Sequence, residues 1–395
     1  ILISNGVIEK IEDSIPSHSN YTIVALENLH VSCGWFDSSV SFGEPGFEER
    51  ETIVNGLTTA AKSGFTAVGV NSNTNPVIDN KSAVEFLINK SQNFATNLHP
   101  IASLTQKSEG KEMAELYDMY QSGAIAFGDY NASMTNDNLM KVALLYAQNF
   151  DGLILSFPKN NSLAGEGLVN EGINSTKLGL KGIPALAEHL QIARDLFLLE
   201  YTGGKLHIPT ISTAKSTELI RKAKQKGLQV TCSVSAHHLI LTDGELHGFD
   251  SNVKVTPPLR TQNDCDALIE AINDGTIDMI TSDHNPIDIE NKKVEFSNAD
   301  NGTIGLESLF GAVNTVLNLE KVIDCLTKQP KEVFNIENHS IAVGNKAEIS
   351  LFNPSTIYTF EKKHIYSTSN NSAFLGKELQ GKAYGVFSNN QLITE

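Results

Sequence analysis

From Gly34 onward, apolar runs of four to six residues alternate with segments whose apolar positions recur at helical spacing. Residues 66–70, 124–127, 153–156, 206–211, 229–234 and 278–282 read as strands, since β-branched and other apolar residues crowd them and turn residues bound them. Residues 51–63, 137–149, 184–202, 216–226 and 264–273 read as helices. In 184–202, Leu186, Leu190, Ala193 and Phe197 fall at core spacing, so this stripe is expected to be buried. Strand–helix alternation sustained over residues 34–340 predicts a parallel sheet, closed by eight units into a (β/α)8 TIM barrel. On either side the pattern is β only. Residues 1–4 and 7–11 flank Asn5-Gly6, a tight-turn signal for a hairpin, and 347–352, 356–360 and 383–388 alternate as strands. The expected architecture is therefore α/β, with a barrel over 34–340 and a small β-sandwich built from both termini, 1–33 and 341–395. Residues 288–302 are polar and without period, and are expected to form a loop or lid beyond a barrel strand.

Composition narrows the classes. A chain of 395 residues suits one barrel with an extra unit, and 40% hydrophobic residues exclude disorder. Forty-six acidic against 30 basic residues give a net charge of −16. That balance argues against nucleic acid and against anionic membranes as partners. No run approaches the ~18 apolar residues of a membrane span. The four cysteines, Cys33, Cys232, Cys265 and Cys325, are far apart and form no Cys-x-x-Cys pair. They indicate neither a disulfide framework nor a zinc ribbon, and a reduced, cytoplasmic setting is expected. The chain begins with Ile1 rather than Met, so the native N-terminus is expected to lie upstream. Eleven histidines look ample for a metal enzyme, so their placement matters.

Barrel chemistry sits at the C-terminal ends of the strands. The predicted strand ends carry Asp37-Ser38-Ser39-Val40-Ser41, then Asn71 to Asn75, Asp129-Tyr130, Ser156, His207 to Thr210, His237-His238 and Asp283-His284. Several segments here resemble the dihydroorotases of the long, multifunctional-complex type, within the amidohydrolase superfamily. They are EPGFEERETIVNG at 44–56, NTNPVIDN at 73–80, QIARD at 191–195, HHLILTD at 237–243, PPLR at 257–260 and GTIDMITSDHNP at 275–286. The resemblance spans essentially the whole chain and independently implies the barrel and the two-termini sandwich.

The resemblance implies reversible hydrolysis of a cyclic amide, dihydroorotate to carbamoyl-aspartate, in pyrimidine synthesis. In that family a zinc centre polarises the carbonyl and supplies hydroxide while an aspartate shuttles the proton. Here the family's His-x-His pair falls at Ser39 and Ser41, its carboxylate at Tyr130, and its two later histidines at Ser156 and Thr210. Only the last ligand and proton shuttle, Asp283, is retained. Five of six positions are thus replaced by neutral or unusual donors, which predicts a degenerate member with no metal and no cofactor. Zinc would be the cofactor if the family's chemistry survives. The arginine that grips the substrate carboxylate falls at Gly43, a substrate-side histidine at Ile287, and the asparagine preceding Pro-Pro-Leu-Arg at Thr256. Asn73 is retained as a candidate substrate-binding residue.

The retained residues also have plainer readings. His237 and His238 are expected to be structural hydrogen-bonding residues at a strand end, and His207 a satisfied core histidine. Asp283-His284 resembles a catalytic dyad, yet without metal it is expected to hold the barrel mouth together. Three functional classes follow. The first is a non-catalytic homologue acting as a scaffold, alone as a homodimer or with aspartate carbamoyltransferase. The second is an active dihydroorotase with an altered metal site built from Asp283, Asp129, His207 and the His237/His238 pair. The third is a small-molecule sensor anchored on Asn73.

Overall fold

The computed structural model describes residues 1–394. The N-terminal strands β1 (Leu2–Ser4) and β2 (Val7–Lys10) pair antiparallel across Asn5 and Gly6. Both turn residues have positive φ, 49° and 76°, as the mirror-image turn of a two-residue hairpin requires. Strand β3 (His30–Cys33) then leads directly into the barrel strand β4 (Trp35–Val40).

The barrel follows as β4, α1 (Ile53–Lys62), β5 (Phe65–Val70), α2 (Lys81–Lys90), β6 (Asn97–Ala102), α3 (Leu116–Gln121), β7 (Ala126–Phe127), α4 (Asp137–Ala147) and β8 (Leu153–Leu155). An excursion holds α5 (Asn161–Ala164), β9 (Val169–Asn170), α6 (Ile173–Leu178) and β10 (Gly182–Ile183). The barrel resumes with α7 (Leu186–Thr202), β11 (Lys205–Ile208), α8 (Ala214–Gln225), β12 (Val230–Ser235), α9 (Ala236–Ile240), α10 (Gln262–Asn273) and β13 (Met279–Thr281). Helices α11 (Ile289–Lys292), α12 (Leu309–Val313), α13 (Leu319–Leu326) and α14 (Lys328–Val333) precede the C-terminal strands β14 (Ile349–Thr359), β15 (Glu378–Ser388) and β16 (Gln391–Thr394).

Eight parallel strands run in the order β13-β12-β11-β8-β7-β6-β5-β4, and a parallel bridge between Val40 and His284 closes the ends. This is the expected (β/α)8 barrel. Inside it Phe36, Ala67, Ile101, Leu153, Leu155 and Met279 form one apolar layer, met by Phe334 from beyond α14. The terminal strands form the sheet β16-β15-β14-β3, and Ile8 of the hairpin packs on Ala347, Ile349 and Leu351. Trp35 joins the two parts. Its fully buried ring lies against Phe65, Phe310 and Phe352, its backbone amide donates to Ser350 Oγ, and Ser350 Oγ donates to Gly64 O.

Several expectations need correction. The stripe Leu186, Leu190, Ala193 and Phe197 does not face the core. Leu186, Leu190 and Phe197 are 50%, 47% and 72% exposed, and α7 instead buries Ala187, Gln191, Ile192, Asp195, Leu196 and Leu199. His237 and His238 open the short helix α9 rather than ending β12. Residues 356–359 are not a separate strand but the end of β14, which reaches them across register shifts, and Phe360 lies beyond it. Strand β6 and helix α2 escape the pattern, since Asn97, His99 and Pro100 interrupt the apolar run of β6.

The polar stretch 288–302 contains α11 and is pinned from beneath by two buried lysines. Lys254 Nζ donates to the carbonyls of Phe296, Ser297 and Ala299 at 2.8, 3.0 and 2.6 Å. Lys292 Nζ donates to those of Asp300 and Gly302 at 2.9 and 2.7 Å. Arg50 ties the same stretch to the loop after β4 through Asp288 and Asp300. Lys254→Met keeps the aliphatic stem and removes three donors from buried carbonyls. It is expected to lower unfolding free energy by about 3 kcal/mol and to speed proteolysis within 288–302, read by urea unfolding and limited digestion.

Candidate active site

A β-bulge between Asp37 and Val40 twists the end of β4, so that Ser38 and Ser39 both line a cavity at the C-terminal mouth of the barrel. Asn71, Tyr130, His207, Thr210 and Asp283 line it as well. Asp37 beneath is fully buried. Its carboxylate accepts from Thr281 Oγ1, from the Ser282 amide at 3.0 Å and from the Ser39 amide at 3.1 Å.

Above it the polar side chains satisfy one another. Ser39 Oγ donates to Asp283 Oδ1 at 3.1 Å, and Asn71 Nδ2 donates to Ser39 Oγ at 3.1 Å. Ser41 Oγ donates to Asn73 Oδ1 at 2.9 Å, and Tyr130 OH lies 3.5 Å from Asp283 Oδ1. Burial, with the nearby Asp37 charge adding to it, pushes the Asp283 carboxyl up to about 7, against the Ser39 and Tyr130 hydrogen bonds that favour the ion. Burial and the Asp283 charge likewise push the Tyr130 phenol well above its ordinary value.

Three of these residues hold left-handed backbone: Tyr130, Thr210 and Asp283 have φ of 48°, 47° and 48°. For a β-branched threonine this is strained, and such strain concentrates at functional loops.

The sequence-predicted residues divide among three places. Ser39, Tyr130, Thr210 and Asp283 line the cavity. Ser41 and Asn73 pair with each other beside it. Ser156 joins α7 instead, donating to Asp195 Oδ2 at 2.7 Å. Asp195 is buried, lies 2.6 Å from Arg194 Nη2 and is pushed up to about 6 by burial. The sequence reading misses two participants. Asn71 is the amide linking Ser39 to Ser41, and Asp195 carries no assigned role within the QIARD segment. Only polarity at a buried strand end marks Asn71 in the sequence.

Among the remaining histidines, His207 and His238 are held by hydrogen bonds at both ring nitrogens, whereas Nε2 of His237 and of His284 is buried without a hydrogen-bond partner. His207 Nδ1 and Nε2 lie 2.9 and 3.1 Å from Thr231 Oγ1 and Ser233 Oγ, and burial depresses its pKa to about 3. His238 Nδ1 and Nε2 reach Ser235 Oγ and Pro257 O. The Asp129 carboxylate accepts from Ser103 Oγ, Thr105 Oγ1 and the Thr105 amide. The alternative metal set of Asp283, Asp129, His207 and His237/His238 is thus not brought together. Among the described residues no group of three or more His, Cys, Asp or Glu side chains is placed to hold a metal ion. Gly43 is dictated by the backbone, because a Cβ there would fall 1.8 Å from Phe47 O.

The family profile described as Dihydro-orotase-like matches residues 30–216. A curated dihydroorotase from Geobacter metallireducens is 39% identical over 389 residues, covering 97% of this chain and 92% of the relative. One from Ruminiclostridium cellulolyticum is also 39% identical, over 97% and 91%. The chain belongs to the dihydroorotase family. Among solved structures, the L-hydantoinase (dihydropyrimidinase) of Arthrobacter aurescens superposes with a TM-score of 0.86 at 21% identity, covering 100% of this chain and 92% of that one. The dihydropyrimidinase of Brevibacillus agri NCHU1002 gives 0.82 at 18%, over 99% and 92%. These two show the fold, a (β/α)8 barrel with a terminal β-sheet, and nothing finer.

Within the family, the zinc site implied by the resemblance does not fit this mouth. Zinc takes imidazole, thiolate or carboxylate donors in a tetrahedral set. Here the lining carries the Asp283 and Asp129 carboxylates and the His207 imidazole, but Asp129 is taken up by Ser103 and Thr105 and His207 by Thr231 and Ser233, so these groups do not converge as a ligand set.

Because folding raises the Asp283 pKa from 3.8 to about 7, the folded chain binds more protons than the unfolded chain between those values. Stability tied to this group is full below pH 4 and is lost as pH rises through 7. Asp283→Asn suits the left-handed backbone and carries no charge. It is expected to stabilise the protein by on the order of 3 kcal/mol at pH 8, with the gain fading below pH 4, read as the difference in Tm across pH.

Proposed function

We propose that this dihydroorotase-family protein serves pyrimidine biosynthesis without hydrolysing a cyclic amide itself. It acts as a scaffold or stabilising partner, with aspartate carbamoyltransferase as the enzyme it assists, in the cytoplasm. One observation carries the reading. The place of the metal centre is taken by a closed network of Ser39, Asn71, Tyr130 and Asp283. Hydrolysis of an unstrained amide needs a polarised carbonyl and an activated water, and neutral hydroxyls supply neither. The absence of a guanidinium at Gly43 supports the same reading, since a bidentate grip on a carboxylate has no neutral substitute. No helix among the described residues is long and apolar enough to cross a membrane.

A second reading has its own support. The relatives at 39% identity carry the name dihydroorotase, and an Asp283 carboxyl near pH 7 takes up and releases a proton close to neutrality. In that reading the chain hydrolyses dihydroorotate with an altered site, and Asp283 carries the proton.

Metal analysis of the purified protein, paired with a dihydroorotate assay, decides between them. The non-catalytic reading expects far less than one equivalent of zinc and turnover at the level of buffer, with or without added zinc. Turnover above buffer that vanishes in Asp283→Ala would establish the second reading.

A further inference from the structure

A second cavity lies at the seam between the barrel and the terminal sheet, next to Gly64 of the Trp35 joint. It spans about 300 Å³ where the end of α1 meets β14, β15 and the residue pair before α12, and Lys62, Ser63, Glu307, Tyr358 and Tyr366 are among its lining. That volume is at the lower end of ligand cavities, so an occupant is small.

The lining holds a carboxylate with one oxygen engaged and one idle. Glu307 Oε1 accepts from the amides of Tyr366 and Ser367 at 3.2 and 3.0 Å and from Ser367 Oγ at 2.6 Å. Glu307 Oε2 is buried without a hydrogen-bond partner. So is Ser63 Oγ, on a residue only 4% exposed. Buried polar atoms left unpaired are expensive, and two of them on one cavity point to an occupant that donates hydrogen bonds.

A charged donor fits best. Glu51, also buried, holds the next residue along, accepting from the Thr368 amide and Thr368 Oγ1 at 3.0 and 2.9 Å. Two carboxylates thus grip one short stretch of chain. Burial pushes both carboxyls above their ordinary value, and the Glu307 charge adds to the effect at Glu51. Among the described residues, no lysine or arginine is paired with either. An ammonium on Glu307 Oε2 supplies the missing counter-charge.

A bare cation does not suit the place. Lys62 Nζ stands on the same cavity, 4.6 Å from the centroid of the Tyr366 ring, and repels it. A water molecule satisfies Oε2 but leaves the buried charge uncompensated. An occupant that brings its own carboxylate turns Lys62 into a second contact, through charge-assisted hydrogen bonds. Ammonium and carboxylate held a few atoms apart in a small body describe an α-amino acid.

We propose that the seam cavity binds a small α-amino acid, its ammonium group donating to Glu307 Oε2 and Ser63 Oγ and its carboxylate accepting from Lys62 Nζ. The site is separate from the barrel mouth, so the inference holds under either reading of the chain's activity. Isothermal titration calorimetry of the full chain with glycine and with L-alanine tests it. Saturable binding of one equivalent is expected for at least one of them, accompanied by a rise in Tm. N-acetylglycine lacks the ammonium and ethylamine lacks the carboxylate, and each is expected to bind at least tenfold more weakly. Glu307→Gln keeps an oxygen for Tyr366 and Ser367 but removes the charge. Lys62→Met keeps the stem at the end of α1 but removes the ammonium. Each variant is expected to weaken binding at least tenfold, with far-UV circular dichroism checking that the fold is kept. No saturable binding of either amino acid, a half-ligand that binds as well as the whole, or an affinity unchanged in either variant would each overturn the proposal.

Discussion

The buried Asp37 carboxylate takes hydrogen bonds from Thr281 and Ser282 on one side and from the Ser39 amide on the other, and so ties the first barrel strand to the last. Burial pushes the Asp37 carboxyl above its ordinary value, and the hydrogen bonds from Thr281, Ser282 and Ser39 offset that only in part. The bulge that aims Ser39 into the cavity starts at the same residue. Closure of the barrel, the position of Ser39 and the approach of Asp283 are therefore one arrangement. It also sets the electrostatics of the mouth. A second carboxyl, buried and held near Asp37, resists ionisation, and this is why Asp283 sits near neutrality instead of at the usual carboxylate value.

That arrangement explains how hydroxyls such as that of Ser39 can fill the barrel mouth without being left unpaired. Imidazoles clustered around a metal leave buried nitrogens unpaired when the metal goes, and unpaired buried polar atoms are expensive. Serine hydroxyls act as donor and acceptor at once. Ser39 uses both capacities, accepting from Asn71 and donating to Asp283. The backbone around them takes left-handed turns at Tyr130, Thr210 and Asp283.

Much of this is legible in the sequence. The alternation of strand and helix points to the barrel, Asn5-Gly6 marks a hairpin, and family motifs locate the strand ends to be compared. The errors have specific causes. The pattern identifies helix α7 but misplaces its rotation, because two apolar faces compete and the buried face contains Gln191 and Asp195. Those two are buried because Ser156 and the Met134 carbonyl meet them there, contacts between distant segments that periodicity does not encode. The stretch 288–302 looks free because its anchors are lysines, which a pattern reading assigns to solvent. Asn71 is passed over for Asn73, since nothing local distinguishes an asparagine that bridges two serines from one that faces a ligand.

Position 43 differs in kind from the other altered positions. At Ser39, Ser41 and Thr210 a side chain of one type stands where the family has another, and the path of the main chain is unaffected. At Gly43 the carbonyl of Phe47 occupies the space in which any side chain would begin. A substitution at this position alone would therefore not be accommodated. The turn from 43 to 47 would have to be re-laid before a side chain of any kind could be placed there.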